Sequence, residues 1–337
     1  MKTTSISSQS VSTAMHLTVS NAQAEISKLQ KEAVTGTYAD VGLELGARTS
    51  TSLDYTRESK RLQSIIESNS VAQQRMDASQ LAMKNMSESA QTLLNSIVAL
   101  GGSSDSSSIG VAAKTATSVL ENFTSYANTA VNGEYLFSGI NTDAQTLNDG
   151  FINSVTTDFK ARFDAEFPDP STATASDVAN FLQNYQAGFD WGSWTNASET
   201  TMSSRISTSE TVSTSASAAS EGFRNLVLAS VISSQLVGSG LGPGALAAVN
   251  DTTTKLAGAA IAGIDTQRAN IGLSQERVEK ANSYMGAQKT IIDTQLTGLV
   301  GIDTYEASTR LTTLMNQVET SYKITGKIQG LSLVNFI

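Results

Sequence analysis

Cysteine is absent from the 337-residue chain, proline occurs three times, histidine once, and aromatic residues make up only 6% of the sequence. Without cysteine the chain can form no disulfide framework, thiolate nucleophile or thiol-ligated metal site. The single histidine, His16, has no second base near it in the sequence, so we expect no catalytic role for it. Large aromatic side chains fill thick cores, and their scarcity favours a thin core such as the seam of a narrow helical bundle.

Positive charge is also scarce, because acidic residues outnumber basic ones and the net charge is −9. The chain therefore lacks a basic face for phosphate groups, and we expect no nucleic-acid partner. No run approaches about 18 apolar residues, so no membrane span is predicted. Residues 1–20 lack the apolar core of a Sec-type signal peptide. No cluster of metal ligands is visible, and neither a metal nor another cofactor is expected.

Long seven-residue repeats are the strongest pattern in the sequence. One runs without a break over residues 62–100, and a second of similar length runs from Ile264 to Leu299. A sustained heptad is typical of a helix with one apolar seam that packs against a partner helix, so we expect the two repeats to pair as a rod. The predicted seam residues are Leu62, Ile65, Asn69, Met76, Met83, Met86, Leu93 and Ile97 in the first repeat and Ile264, Ile271, Val278, Met285 and Ile292 in the second.

Asn69 is a polar residue within the first seam, and it has two interpretations. A buried polar group at a seam position fixes the register and the number of partners at some cost in stability. Alternatively, Asn69 faces solvent at a local gap in the seam. The sequence favours neither interpretation.

Both ends of the chain have the pattern of amphipathic helices, from about Ser8 to Thr35 and from Tyr305 to near Gly326. Glycines separate each of them from its long neighbour, and residues 36–46 are predicted to be an irregular connector. Helices of about 25 residues are marginal alone, so we expect the ends to pair with each other and with neighbouring copies. An ordinary bundle with two capping helices is the alternative. The residues assigned to the assembly interface are Val11, Met15, Ile26, Leu29, Leu311, Leu314, Val318, Tyr322, Ile328, Leu331, Leu333 and Phe336.

The middle of the chain differs in composition from both ends. Eight aromatic residues and two of the three prolines lie between Phe159 and Trp194, which predicts an inserted domain with a small core of its own over residues 140–214. Short helices are expected at residues 155–167 and 176–188, and weak strands at 199–214.

The predicted fold class is mainly α, with a long antiparallel coiled-coil bundle formed by the N- and C-terminal regions and a small inserted α+β or β-rich middle domain. A third helix is expected at residues 109–131, between the first heptad and the insert. The predicted domains are a terminal assembly domain, a helical rod and the insert, formed by residues 1–45 with 301–337, residues 46–139 with 215–300, and residues 140–214.

Two local patterns resemble reactive or ligand-binding sites but have simpler interpretations. Asp303 and Glu306 form a carboxylate pair at the start of the last helix, where they complement the helix dipole. The glycine-rich segment 238–242 resembles a phosphate-binding loop, yet no Lys-Ser/Thr follows it and a helix precedes it. We interpret it as a turn between helices, with Pro243 in the first turn of the next helix.

The string from Asn132 to Gly139, which contains Gly133, Tyr135, Leu136, Phe137, Ser138 and Gly139, resembles a motif of hook-filament junction proteins, the hook-associated protein 3 type of the flagellin superfamily. The C-terminal stretch from Glu306 to Leu311, continued to residue 337, is similar to the ending of the same family. The resemblance covers residues 1–140 and 215–337. Filament flagellins carry an Arg-Ile-Asn-Ser-like turn where this chain has residues 35–43, and a Pro-Gln pair near the C-terminus. Both are missing here, which favours the junction proteins over filament flagellin, although the first is also a feature of many junction proteins.

The resemblance implies a non-enzymatic structural subunit of the bacterial flagellum, located outside the cell and carried there unfolded by flagellar type III export. It implies a ring of copies of the chain, with hook-associated protein 1 on the hook side, flagellin on the filament side, and a cytoplasmic export chaperone on the C-terminal helix before export. Filament flagellin is the nearest alternative. A secreted coiled-coil translocator or signalling rod is an alternative of another class.

Overall fold

The computed structural model describes residues 8–101 and 105–334, and the side chains of residue 10 and of residues 13–101 and 105–327. The described part is predominantly helical, with two small antiparallel sheets between the long helices, so the predicted fold class is confirmed. The elements in chain order are α1 (Ser8–Thr35), α2 (Val41–Leu45), α3 (Thr49–Leu100), α4 (Ser106–Ala127), β1 (Ala130–Val131), β2 (Glu134–Tyr135), α5 (Phe151–Glu166), α6 (Ala175–Ala187), β3 (Ser203–Arg205), β4 (Thr211–Ser213), α7 (Glu221–Leu236), α8 (Pro243–Val300) and α9 (Thr304–Val334).

The chain divides into two compact units. We call residues 1–64 with 286–337 the terminal unit, and residues 65–285 the central unit. The three-domain division expected from the sequence stays a prediction.

In the terminal unit, α1 and α9 pack against each other in antiparallel directions. Gln23 of α1 donates a hydrogen bond to the hydroxyl of Tyr322, at 2.9 Å, and Glu25 lies 3.4 Å from Arg310. Asp303 caps α9, since one of its carboxylate oxygens accepts the backbone N–H groups of Tyr305 and Glu306. This cap is the helix-terminal role expected for Asp303.

The connectors on either side of the terminal helices also meet in the terminal unit. Tyr38 donates its backbone N–H to the carbonyl of Val300, and Ile302 donates to Gly36, both at 3.0 Å. The segment predicted to be irregular contains α2, which Asp40 caps through the N–H of Leu43. The expectation of a structureless connector was wrong because a five-residue helix is too short to show a period in the sequence.

Within the terminal unit, the carboxylate of Asp293 on α8 accepts a hydrogen bond from α3. This contact makes the free energy of unfolding depend on pH. Lys289 and Ser59 both donate to its carboxylate at 2.6 Å, and these bonds, that of Lys289 first, lower the pKa of Asp293 below its ordinary value. A pKa lowered by folding stabilises the native state above the unfolded pKa of about 4, and this stabilisation is lost as the pH falls through the lower, folded value.

We therefore expect Asp293→Asn, which keeps an oxygen acceptor for Ser59, to unfold at a lower urea concentration than wild type at pH 7. The difference should shrink as the pH is lowered from 5 to 3. Circular dichroism during urea titrations at pH 7, 5 and 3 measures it, and a difference that stays constant over this range contradicts the assignment.

In the central unit, α3 and α8 are antiparallel and α4 packs on α7. Gln275 of α8 donates to Asp77 of α3 at 2.6 Å, and Gln80 donates to the carbonyl of Arg268 at 2.7 Å. The rings of Phe123 of α4 and Phe223 of α7 meet with centroids 6.0 Å apart. One continuous cluster of buried residues fills this unit from α3 to α8.

The aromatic middle segment does not have a core of its own, and that expectation was wrong. The helices α5 and α6 lie close to the predicted positions, and their rings form a cluster in which Phe159 and Tyr185 meet edge to face at 4.8 Å. However, Phe159 and its neighbours belong to the same buried cluster as Met83 of α3 and Val231 of α7. Their burial depends on contacts with distant parts of the chain, which composition does not reveal.

Two predicted helix ends were also wrong. Helix α4 ends at Ala127, not Val131, because Asn132 and Gly133, with φ of +54° and +83°, form the two-residue turn of the β1–β2 hairpin. Helix α9 continues past Gly326 to Val334, since an isolated glycine inside a helix is tolerated.

Candidate assembly surface

Among the described side chains, most of the residues predicted for assembly are buried or half-buried within the α1–α9 pair. Leu29 is buried with 4% exposure, and Tyr322 is exposed to 54% although its hydroxyl accepts from Gln23. The half-buried members are Met15, Ile26, Leu311, Leu314 and Val318. The side chains of Val11, Ile328, Leu331, Leu333 and Phe336 lie outside the described residues.

Few side chains are fully buried in this pair. Among the described side chains these are Val19, Leu29 and Glu32 on α1, and Ala307 on α9. Helices α1 and α9 have 28 and 31 residues, respectively. Amphipathic helices in proteins gain most of their stability from tertiary packing, so a pair of this length that buries so little is incomplete as an isolated fold.

A groove runs between α1 and α9 on one side of the pair. Its volume is about 510 Å³. It is lined by mostly small side chains, namely Thr18, Val19, Ala22, Thr313, Asn316, Gln317, Val318, Thr320 and Ser321. The small side chains leave this side of the pair open to solvent.

Large apolar side chains also point outward from the same two helices. Leu17 is 64% exposed, Met315 51% and Ile324 44%. Leu17 and Ile324 lie off the main apolar stripe of their helices, which is why sequence analysis missed them, whereas Met315 follows Leu311 at helical spacing. Single exposed apolar residues are ordinary, but several on a pair with a small interior make these helices a candidate interaction surface.

The two long helices carry the predicted seam. Asn69 is 1% exposed, so the interpretation in which it faces solvent does not hold. The other buried seam residues are Leu62, Met76, Met83, Met86, Leu93, Ile97, Ile264, Ile271, Val278 and Met285, and the half-buried ones are Ile65 and Ile292.

The segment from Asn132 to Gly139 includes β2, and this strand is hydrogen-bonded to α3. Arg75, which is 8% exposed, donates to the carboxylate of Glu134 and, at 2.7 Å, to the carbonyl of Tyr135. Burial lowers the pKa of the Arg75 guanidinium, and the adjacent Glu134 opposes this effect. Tyr135 is half-buried and Gly133 is exposed at the turn, whereas the remaining motif residues, Leu136, Phe137, Ser138 and Gly139, are buried.

Gly139 explains why the motif ends in glycine. Its φ is +66°, and a Cβ at this position would lie 2.5 Å from the carbonyl oxygen of Ser198 and 2.6 Å from that of Thr200. A larger residue would force these backbone segments apart. The motif therefore allows the hairpin and the segment over residues 198–200 to pack closely against each other.

The structure offers no catalytic or metal-binding arrangement in the residues it describes. His16 is exposed on α1. Residues 238–242 connect α7 to α8, which begins at Pro243 as expected. No group of three acidic or histidine side chains among residues 8–101 and 105–334 could hold a metal ion. None of the helices in those ranges combines the length and apolarity that a membrane span requires.

Comparison with known proteins agrees with the helical ends. Residues 6–142 match the family described as the bacterial flagellin N-terminal helical region, and residues 254–337 match the bacterial flagellin C-terminal helical region. A solved structure with a similar fold comes from Vibrio parahaemolyticus and is described as a flagellar hook-associated protein. It is 12% identical, has a TM-score of 0.54, and the likeness covers 75% of this chain and 97% of that chain.

At this identity the structural likeness shows the fold alone, and no curated protein matches the sequence. The two family matches carry more weight because together they cover about two thirds of the chain, including both terminal helices. The chain belongs to the flagellin superfamily and is a structural, non-enzymatic component of the bacterial flagellum.

Proposed function

We propose that this chain is the subunit that joins the flagellar hook to the filament. The observation that carries the proposal is the α1–α9 pair, which buries few of its own side chains and exposes Leu17, Met315 and Ile324. In a ring of subunits these surfaces would pack against copies of the same pair. The apolar residues of the predicted assembly interface would then complete their burial between subunits.

Two features of the sequence support the junction role over that of filament flagellin. Residues 35–43 lack the Arg-Ile-Asn-Ser-like turn, and the C-terminal region lacks the Pro-Gln pair. We propose hook-associated protein 1 as the neighbour on the hook side and flagellin as the neighbour on the filament side.

Export through the flagellar type III route fits the terminal helices. Because an isolated α1–α9 pair is marginal, the terminal helices add little to the structure that has to be unfolded before passage. We propose that a cytoplasmic chaperone covers the apolar C-terminal helix, from Leu311 onward, until export.

The junction role predicts the behaviour of purified protein. After addition of short filament fragments as seeds, the chain should stay monomeric by light scattering, and it should bind immobilised hook-associated protein 1. The chain bound to hook-associated protein 1 should in turn bind flagellin. Growth of long filaments from the chain alone would assign it to filament flagellin instead, and failure to bind either partner would contradict both roles.

A further inference from the structure

Asn69 makes two hydrogen bonds that connect three separate segments of the central unit. Its Nδ2 atom donates to the carbonyl of Ile206 at 2.8 Å and to the side-chain oxygen of Asn282 at 2.7 Å. The first acceptor lies in the loop after β3, and the second lies on α8. Both hydrogens of one buried amide are therefore satisfied by partners that are 137 and 213 residues away in the sequence.

This arrangement discriminates between registers of α3 and α8. A seven-residue repeat presents nearly the same apolar seam after a shift of one heptad, so apolar packing alone specifies the register weakly. In the observed register Asn69 faces Asn282, while Gln80 and Asp77 face Gln275. A shift would remove Asn282 from reach of Asn69 and leave a buried donor without its partner, which is costly.

The loop over residues 206–210 is held by the same amide. Ile206 is completely buried, and its N–H donates to the carbonyl of Glu210 at 2.9 Å, which closes the loop. The carboxylate of Glu210 accepts from Arg277 of α8 at 2.7 Å. Both partners of this ion pair are more than one third exposed, so it contributes less than the buried bond of Asn69.

We propose that Asn69 is a positioning residue that fixes the register of α3 against α8 and holds the 206–210 loop on both helices. The loop acts as a latch, because it bonds to Asn69 of α3 and to Arg277 of α8 at once in the register that brings Asn69 and Asn282 together. Asn69 thereby adds a register-dependent link between the inserted segment and the rod. This coupling does not depend on which part of the flagellum the chain occupies.

Limited proteolysis with trypsin reports whether the 206–210 loop is held in place, because Arg205 is exposed and immediately precedes Ile206. In Asn69→Leu we expect trypsin to cleave after Arg205 about ten to a hundred times faster than in wild type, as follows from the loss of a buried hydrogen-bonding group. Cleavage after Lys160 and Arg162, exposed on α5, should change less than threefold. Asn282→Asp keeps an oxygen acceptor for Asn69 and should cleave close to the wild-type rate.

An unchanged cleavage rate after Arg205, or an equal increase in the rates after Arg205 and on α5, would contradict the proposal that Asn69 holds the 206–210 loop. If circular dichroism shows Asn69→Leu to be unfolded, Asn69→Gln replaces it, with an expected increase of at least about fivefold.

The absence of cysteine from the chain allows a second measurement, of the register. The side-chain amides of Gln80 and Gln275 lie 3.4 Å apart, so in the wild-type background the double variant Gln80→Cys, Gln275→Cys should be joined by a short bis-maleimide cross-linker that replaces the length of the two glutamine side chains. The yield should fall by at least half when Asn69→Leu is added. An equal yield in both backgrounds would overturn the register assignment.

Discussion

Replacement of Leu17 and Met315 by aspartate is expected to abolish assembly while the chain itself still folds. The two side chains are 64% and 51% exposed, so neither contributes much to the packing within one subunit. Between subunits, each would bury the exposed half of an apolar side chain, worth about 1–2 kcal/mol. Losing both should weaken association by more than about tenfold, and burying two carboxylates adds to this cost.

Motility in soft agar and sedimentation of the purified protein measure the effect. Ser27→Asp with Gln30→Asp is the matched control, because it adds the same charge at exposed polar positions of α1. Cells with the control should swim, whereas cells with the Leu17 and Met315 variant should secrete the subunit but remain non-motile. Wild-type swimming by the latter variant would show that these side chains do not lie in the interface.

The second large effect is expected at the contact between Gly222 of α7 and Gly263 of α8. A Cβ on Gly222 would lie 2.8 Å from the carbonyl carbon of Gly263 and from the nitrogen of Ile264, and a Cβ on Gly263 would lie 2.7 Å from the Cα of Gly222. Only backbone atoms meet there, so no flexible side chain can move aside. We expect Gly222→Ala to lower the free energy of unfolding by about 3 kcal/mol, at the upper end of overpacking costs.

Gly258 provides the matched control on α8. A Cβ at this position meets no atom within 4 Å, so Gly258→Ala should stabilise the chain by about 0.5–1 kcal/mol. Urea unfolding followed by tryptophan fluorescence reports on the central unit, where Trp191 is buried and donates to the carbonyl of Ala218 at 2.9 Å. Equal midpoints for Gly222→Ala and wild type would mean that α7 and α8 do not approach this closely.

The elements predicted correctly from the sequence are those with a long period. Residues 8–35 and the heptads of α3 and α8 repeat the same apolar spacing over many turns. This spacing predicts the helices that the structure contains there. The starts of α8 at Pro243 and of α9 beside Asp303 were predictable because these residues suit a helix N-terminus.

The remaining features depend on contacts between distant segments. Nothing near Asn69 in the sequence indicates that Ile206 would accept its hydrogen bond, and nothing near Phe159 indicates that it would share a core with Val231. The close approach at Gly222 and Gly263 also escaped prediction, since a glycine in a helical pattern gives no sign of its partner. In the candidate site, the sequence identified the inner stripe of each terminal helix but not the outward residues Leu17 and Met315.

Immuno-electron microscopy of intact flagella tests the central claim most directly. Antibodies against the 140–214 segment should label one short band between the hook and the filament. Label along the whole filament would contradict the junction role and assign the chain to filament flagellin, and absence of label from the flagellum would contradict the proposed function altogether.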